Sequence, residues 1–330
     1  MTHPGREQRR EDVERIESFF VVAGQVVTLF LLIGVGFVLA KLGVLRPDGV
    51  SQMSTLALYV VTPCVMIRSF ETERTPGMLE ELGGFFLAYT LCTILGILLA
   101  QPLFRKEPPE RRGPLRFGAA YGNNGFMGLP LVMSILGPEA AIFGTVSAVS
   151  FNFLLWTHGL KTMGGRVRLR DVFINPATVG TVVGLTLFLT GWWQPAPGRW
   201  AVPEAVNNAV SFLADLNTPL PMLVLGAQMA GSDLRSGFTD WRLYLTAAVR
   251  LVAAPLAALV LLLPLGLSPM AYCACVILCA VPPAGATGML AQKLGRDTAL
   301  AARLVSVITL LSVITLPFFA VAAQTLSGLT

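Results

Sequence analysis

Charge is scarce in this chain. Only 13% of its 330 residues are Asp, Glu, Lys or Arg, against roughly a quarter in an ordinary soluble domain, while 54% are hydrophobic. That balance excludes a water-soluble globule and predicts a polytopic membrane protein. Histidine is scarcer still: His3 in the N-terminal tail and His158 are the only two, so no histidine cluster exists for a metal or a catalytic triad. The five cysteines, Cys64, Cys92, Cys273, Cys275 and Cys279, fall inside apolar stretches and read as small packing residues. Cys273, Cys275 and Cys279 are close in sequence, but a structural zinc takes four ligands and no histidine is near to complete the set. No metal or cofactor is expected. A membrane enzyme would need a metal cluster or a nucleophile with its base, and the chain offers neither. No cleavable leader is expected, because the first apolar run is too long for one and lacks an Ala-x-Ala exit.

Long apolar runs, by contrast, are abundant. Phe19 to Ala40 carries no charge, and about 20 apolar residues span the hydrocarbon core. Further runs lie at about 50–70, 82–104, 115–136, 139–160, 173–193, 205–230, 241–265, 268–291 and 299–326. They predict an all-α protein of ten transmembrane helices, five per half.

The halves share a grammar. Thr62-Pro63-Cys64-Val65-Met66 recurs as Thr218-Pro219-Leu220-Pro221-Met222, 156 residues later. The same offset carries the Asn- and Gly-rich stretch Asn123 to Pro130 onto Cys279 to Ala286, which holds Pro282-Pro283-Ala284-Gly285. Five crossings per half make the second half enter from the opposite side, so the repeats are expected to be inverted, as in many secondary transporters. The expected organisation is a charged tail (1–18), a first repeat (19–160), a short cytoplasmic linker (161–172) and a second repeat (173–330).

Lys and Arg collect on the cytoplasmic side of a membrane. Sixteen lie in the loops after runs 1, 3, 5, 7 and 9, from Lys41 to Arg303, against Arg68, Arg74 and Arg199 on the other side. Both termini are therefore expected outside the cytoplasm, and the net charge of +5 reflects topology, not nucleic-acid binding.

The chemistry is expected where the helices break. Gly122-Asn123-Asn124-Gly125 through Pro130, in run 4, and Val281-Pro282-Pro283-Ala284-Gly285, in run 9, are poor helix formers at mid-membrane depth. Freed backbone groups are tolerated there only against protein or a water-filled cavity. If the two breaks cross, the half-helix N-termini converge and favour an anion, with the amides of Asn123 and Asn124 adding donors and acceptors. Kinks packed on neighbouring helices are the plainer reading. Asn152 in run 5 either faces the same cavity or makes an interhelical hydrogen bond. Thr62 and Thr218, ahead of Pro63 and Pro219, are expected to cap loosened backbone.

Two ionisable residues lie deep. At 1.5 Å per residue, Arg250 sits about 14 Å and Asp215 about 15 Å into their runs, where charge marks function by default. Either they neutralise each other, or Arg250 serves anion binding or coupling. Asp215 is the one mid-membrane carboxylate, so the paired acids of a sodium or proton antiporter are missing.

At these residues the chain resembles a bacterial member of the auxin efflux carrier family. The resemblance runs from about residue 20 to 326. It rests on Asn-Gly-Phe-Met-Gly-Leu-Pro (Asn124 to Pro130), Asn175-Pro176, Pro-x-x-x-Leu-Gly (Pro221 to Gly226) and the proline-rich ninth run. It implies a fold similar to bile-acid and sodium-proton carriers, with helices 1, 2, 6 and 7 as scaffold, through which a homodimer would form, and the other six as a mobile transport domain. It implies an organic anion as substrate, indole-3-acetate in plants and small carboxylates such as malate or malonate in bacteria. It places Asn124, or its neighbour Asn123, together with Asn152 and Pro282 at the crossing site, beside Gly125, Pro283 and Gly285. The linker Lys161 to Val172 is far shorter than the cytoplasmic loop of plant members, and the charged tail is unlike the family.

The expected function is an inner-membrane carrier of a small organic carboxylate working by elevator-type alternating access, coupled to H+ or Na+ if to any ion. The alternatives are a cation or neutral-metabolite carrier using Asp215, and a membrane sensor that binds ligand without moving it.

Overall fold

The computed structural model describes residues 4–72, 75–168, 170, 173–192 and 202–329. Among them the chain is helical, and the one β-type pairing is an isolated antiparallel bridge between Gly122 and Pro283. In chain order the elements are α1 (Pro4–Lys41), α2 (Pro47–Arg68), α3 (Met78–Ala100), α4 (Pro109–Ala120), α5 (Asn124–Leu136), α6 (Pro138–Thr162), α7 (Pro176–Thr190), α8 (Glu204–Ala230), α9 (Trp241–Leu265), α10 (Pro269–Ala280), α11 (Ala286–Lys293) and α12 (Thr298–Ser327). Seven of the described helices are long and apolar enough to cross a membrane. Three more, α5, α7 and α10, are apolar but shorter. Two of these are short because runs 4 and 9 each divide in two, which removes them from a count based on length alone. Parts of the expected linker (169, 171 and 172) and the loop 193–201 lie outside the described residues.

Helix starts follow local chemistry. Asn175, Ser268, Asp240 and Asp297 accept, through their side chains, the backbone N–H of Thr178, Ala271, Arg242 and Leu300, satisfying donors that a helix N-terminus leaves open. Prolines shape the interiors. Wide π-type turns at Ala57–Val61, Asn124–Gly128 and Ala248–Ala253 each end two residues before Pro63, Pro130 and Pro255. A proline ring has no N–H and collides with the carbonyl four residues back, and a widened turn relieves both problems. At the first of these, Thr62 Oγ1 donates to the Ala57 carbonyl at 2.9 Å, so Thr62 caps loosened backbone as expected. Thr218 precedes Pro219 without a side-chain cap; there α8 turns at Leu216 to Thr218.

Close backbone approaches join the elements. A Cβ at Gly226 would stand 1.9 Å from the Ile33 carbonyl oxygen, and one at Gly36 2.1 Å from that of Leu223, so α1 and α8 touch main chain to main chain. A Cβ at Gly180 would stand 2.6 Å from Pro63 Cα, which puts α7 equally close to α2. Small residues at helix contacts are how membrane helices gain dispersion energy without a hydrophobic drive between them. The largest buried cluster runs from this α1–α8 contact, with Ile33 and Met222, to α3, α10 and α12, which bring Phe85, Cys275, Ile277 and Ile308 out of contact with solvent.

The ends of three elements are tied by charge. Arg242 donates to Glu107 at 2.5 Å and Arg111 to Asp240 at 3.0 Å, while Asp297 N–H meets the Glu110 carbonyl at 3.0 Å. The segments entering α4, α9 and α12 are thus held together at one end of the bundle.

Candidate functional site

Runs 4 and 9 meet at their breaks. After α4 the chain becomes extended at Tyr121 (φ −108°, ψ 116°), and after α10 it does the same at Val281 (φ −64°, ψ 148°). Asn123 N–H donates to the Pro282 carbonyl at 2.7 Å, and Ala284 N–H to the Tyr121 carbonyl at 2.9 Å. This arrangement explains why consecutive prolines are tolerated. The bridge takes its donors from Asn123 and Ala284, so Pro282 and Pro283 need supply none. Asn123, Asn124, Pro282 and Pro283 are buried at the crossing, and Gly125 and Gly285 sit half-buried at the starts of α5 and α11.

Arg250 lies in the wide turn of α9 and is 5% exposed. Its Nε donates to the Val281 carbonyl at 2.8 Å, Nη1 to Ala120 at 3.1 Å, and Nη2 to Cys279 at 2.7 Å and Leu278 at 3.4 Å. These carbonyls belong to the C-terminal ends of α4 and α10, where the helix dipole is negative and the last C=O groups lack intrahelical partners. Burial of the guanidinium is compensated by these four acceptors. The expected alternative of an Arg250–Asp215 pair is overturned. Asp215 sits in α8 with its side chain 65% exposed and accepts from Arg68 Nη1 at 2.6 Å. Linear depth along separate helices placed both residues at the same level, but their lateral positions differ.

With the two C-terminal ends occupied by Arg250, the opposite ends face open space. A Cβ at Gly125 or at Gly285 would meet no atom within 4 Å. Asn124, 2% exposed, donates through Nδ2 to the Tyr89 hydroxyl at 2.5 Å, and among the described residues its Oδ1 has no hydrogen-bond partner. An unpaired buried amide atom costs about 1 to 3 kcal/mol. Together these features can accept a small ligand carrying both a negative group, for the N–H groups of the half-helices, and a donor for Asn124.

Asn152 is bonded within its own helix, where its Nδ2 donates to the Ala148 carbonyl at 2.8 Å. Three residues were not singled out from sequence. Tyr89 holds Asn124. Asn217, in the turn of α8, donates to the Gly125 carbonyl at 3.4 Å and brings α8 to the crossing. Tyr121 donates to the Leu154 carbonyl at 3.0 Å and meets His158 Nδ1 at 2.9 Å, fixing the break against α6. Polar residues inside apolar runs were the signal for all three, but only their partners distinguish them from other Tyr and Asn residues.

Comparison with known proteins bears on this geometry. The family described as membrane transport protein matches residues 21–172 and 164–320. An uncharacterized transporter of Methanothermobacter thermautotrophicus is 26% identical over 90% of this chain and 96% of its own. An uncharacterized transporter of Methanocaldococcus jannaschii is 23% identical over 64% of this chain and 70% of its own. A protein of Rhizobium meliloti named "Putative malonate transporter" is 23% identical over 65% of this chain and 68% of its own.

Proposed function

The chain belongs to the membrane transport protein family, the auxin efflux carriers, and on that premise we propose that it is a secondary carrier moving a small organic carboxylate across the plasma membrane. The observation that carries this reading is the crossing itself, with two half-helix N-termini, two glycines facing open space and the unpartnered Oδ1 of Asn124. Helix N-termini favour anions without specifying which. The name of the Rhizobium meliloti relative points to malonate among the first acids to try.

In this proposal the ten predicted crossings form two inverted repeats, with α1, α2, α7 and α8 as scaffold and the elements around the crossing moving as one body. Both termini lie outside the cytoplasm, and scaffold faces form any homodimer. Substrate sits against Asn124, Gly125 and Gly285, on the side of the breaks opposite Arg250. Arg250 then acts chiefly by holding the crossing closed and not as an anion ligand. The cation-carrier reading loses its support, because the carboxylate it needed is bonded to Arg68.

The test is charge movement in proteoliposomes of purified protein on a solid-supported membrane, challenged with mono- and dicarboxylates, amino acids and cations. A saturable response to one carboxylate class, absent from empty liposomes and from Asn124→Ala, is expected. Carboxylate binding without current and without counterflow of labelled substrate would replace the carrier with a sensor.

A further inference from the structure

Three thiols converge, and one of them is not among the three that stand close in sequence. The Sγ atoms of Cys92, on α3, and of Cys275 and Cys279, on α10, all lie within 4.8 Å of one another. The i, i+4 spacing puts Cys275 and Cys279 on one face of α10, and Cys92 reaches them from the neighbouring helix. Cys273 points elsewhere, its Sγ 3.1 Å from Ser327 Oγ. Cys275 is fully buried, while Cys92 and Cys279 retain 9% and 5% exposure, so the cluster reaches the edge of the packed core.

We propose that Cys92, Cys275 and Cys279 form a three-thiolate site for a soft divalent cation such as Zn(II) or Cd(II). Thiolates select soft ions. A metal–sulfur distance of about 2.3 Å places three sulfurs around one ion at separations of about 4 Å, so the cluster needs to contract by roughly 1 Å at most. Charge selects the valence. Binding follows 3 RSH + M2+ → M(SR)3− + 3 H+, leaving one negative charge in a buried place. Arg250 carries one positive charge and donates to the Cys279 carbonyl at 2.7 Å, which sets that charge beside the cluster. A monovalent ion on three thiolates would leave a second negative charge unmatched. The fourth coordination position stays open to water, as in zinc sites with three protein ligands. The proposal is independent of what the protein transports.

Cd(II) alone, titrated into the reduced, detergent-purified full chain, tests it. The expected result is one ion per chain, a sulfur-to-cadmium charge-transfer band, and affinity that rises with pH because three protons leave. Each of Cys92→Ser, Cys275→Ser and Cys279→Ser should weaken binding by more than about 100-fold, the upper end for losing a mere supporting group. Cys64→Ser and Cys273→Ser should bind as wild type. A wild-type chain with intact thiols and no band, or equal loss in Cys64→Ser, overturns the site. Should a ligand variant fail to fold, X-ray absorption on the wild-type complex decides: three sulfur neighbours support the site, and two or fewer refute it.

Discussion

Arg68 donates to Asp215 at 2.6 Å across the contact between α2 and α8, with both side chains partly exposed. Among the described residues Arg250 has no carboxylate partner, and it binds four carbonyls instead. The two charges therefore carry unequal weight. Asp215→Asn removes a single bond to Arg68, so it should shift the thermal midpoint in detergent far less than a change at Arg250. Hydrogen bonds from a charged donor contribute about 1.5 to 3 kcal/mol each. Arg250→Met, which strands several buried carbonyls, should lower the midpoint sharply, and adding Asp215→Asn should not restore it.

The glycines of run 4 separate folding from function. At Gly122 an added Cβ would lie 2.7 Å from Arg250 Nη2 and 2.8 Å from Val281 Cγ2, whereas at Gly125 it would touch nothing. Gly122→Ala should reduce stability by about 1 to 3 kcal/mol, the range for overpacking. Gly125→Val should fold as wild type, yet fill the space at the start of α5 and abolish carboxylate-driven current. Normal current in a folded Gly125→Val protein would remove that space from the transport path.

Tyr89 is expected to act through Asn124. Tyr89→Phe takes away the hydroxyl that accepts from Asn124 Nδ2, leaving the amide free to rotate. Substrate affinity should fall about 10-fold, near the 1.4 kcal/mol of one hydrogen bond, with folding intact. In Asn124→Ala, the further change Tyr89→Phe should cost little more, because the relationship it breaks is already gone.

Gly226 measures how close α1 and α8 must stay. Its missing side chain admits the Ile33 carbonyl oxygen, which would lie 1.9 Å from an added Cβ. Since the obstacle is backbone, no rotamer change relieves it. Gly226→Leu should yield little monodisperse protein on gel filtration, while Gly285→Ala, facing open space, should yield as much as wild type.

The two breaks were legible in sequence because glycine and consecutive prolines depart from helical propensity wherever they stand. The 156-residue offset thus carries residues 123 to 130 onto 279 to 286, the stretch that holds the second break at 282 to 285. The membrane character was equally legible, since a charge content of 13% cannot cover a soluble core. The lateral arrangement of helices was not. Arg250 and Asp215 sit at similar depth along their own helices, yet depth fixes one coordinate and leaves the helix neighbours undetermined. Asn152 followed the same logic, a polar residue in an apolar run, but spends its amide on Ala148. The thiol cluster shows the limit most clearly. Sequence proximity grouped Cys273 with Cys275 and Cys279, but helical periodicity turns Cys273 toward Ser327 and packing of α3 brings in Cys92 instead. Local propensity and hydropathy act residue by residue and are written in the chain, whereas which faces meet is decided by the packing of whole helices, and that is a property of the tertiary structure alone.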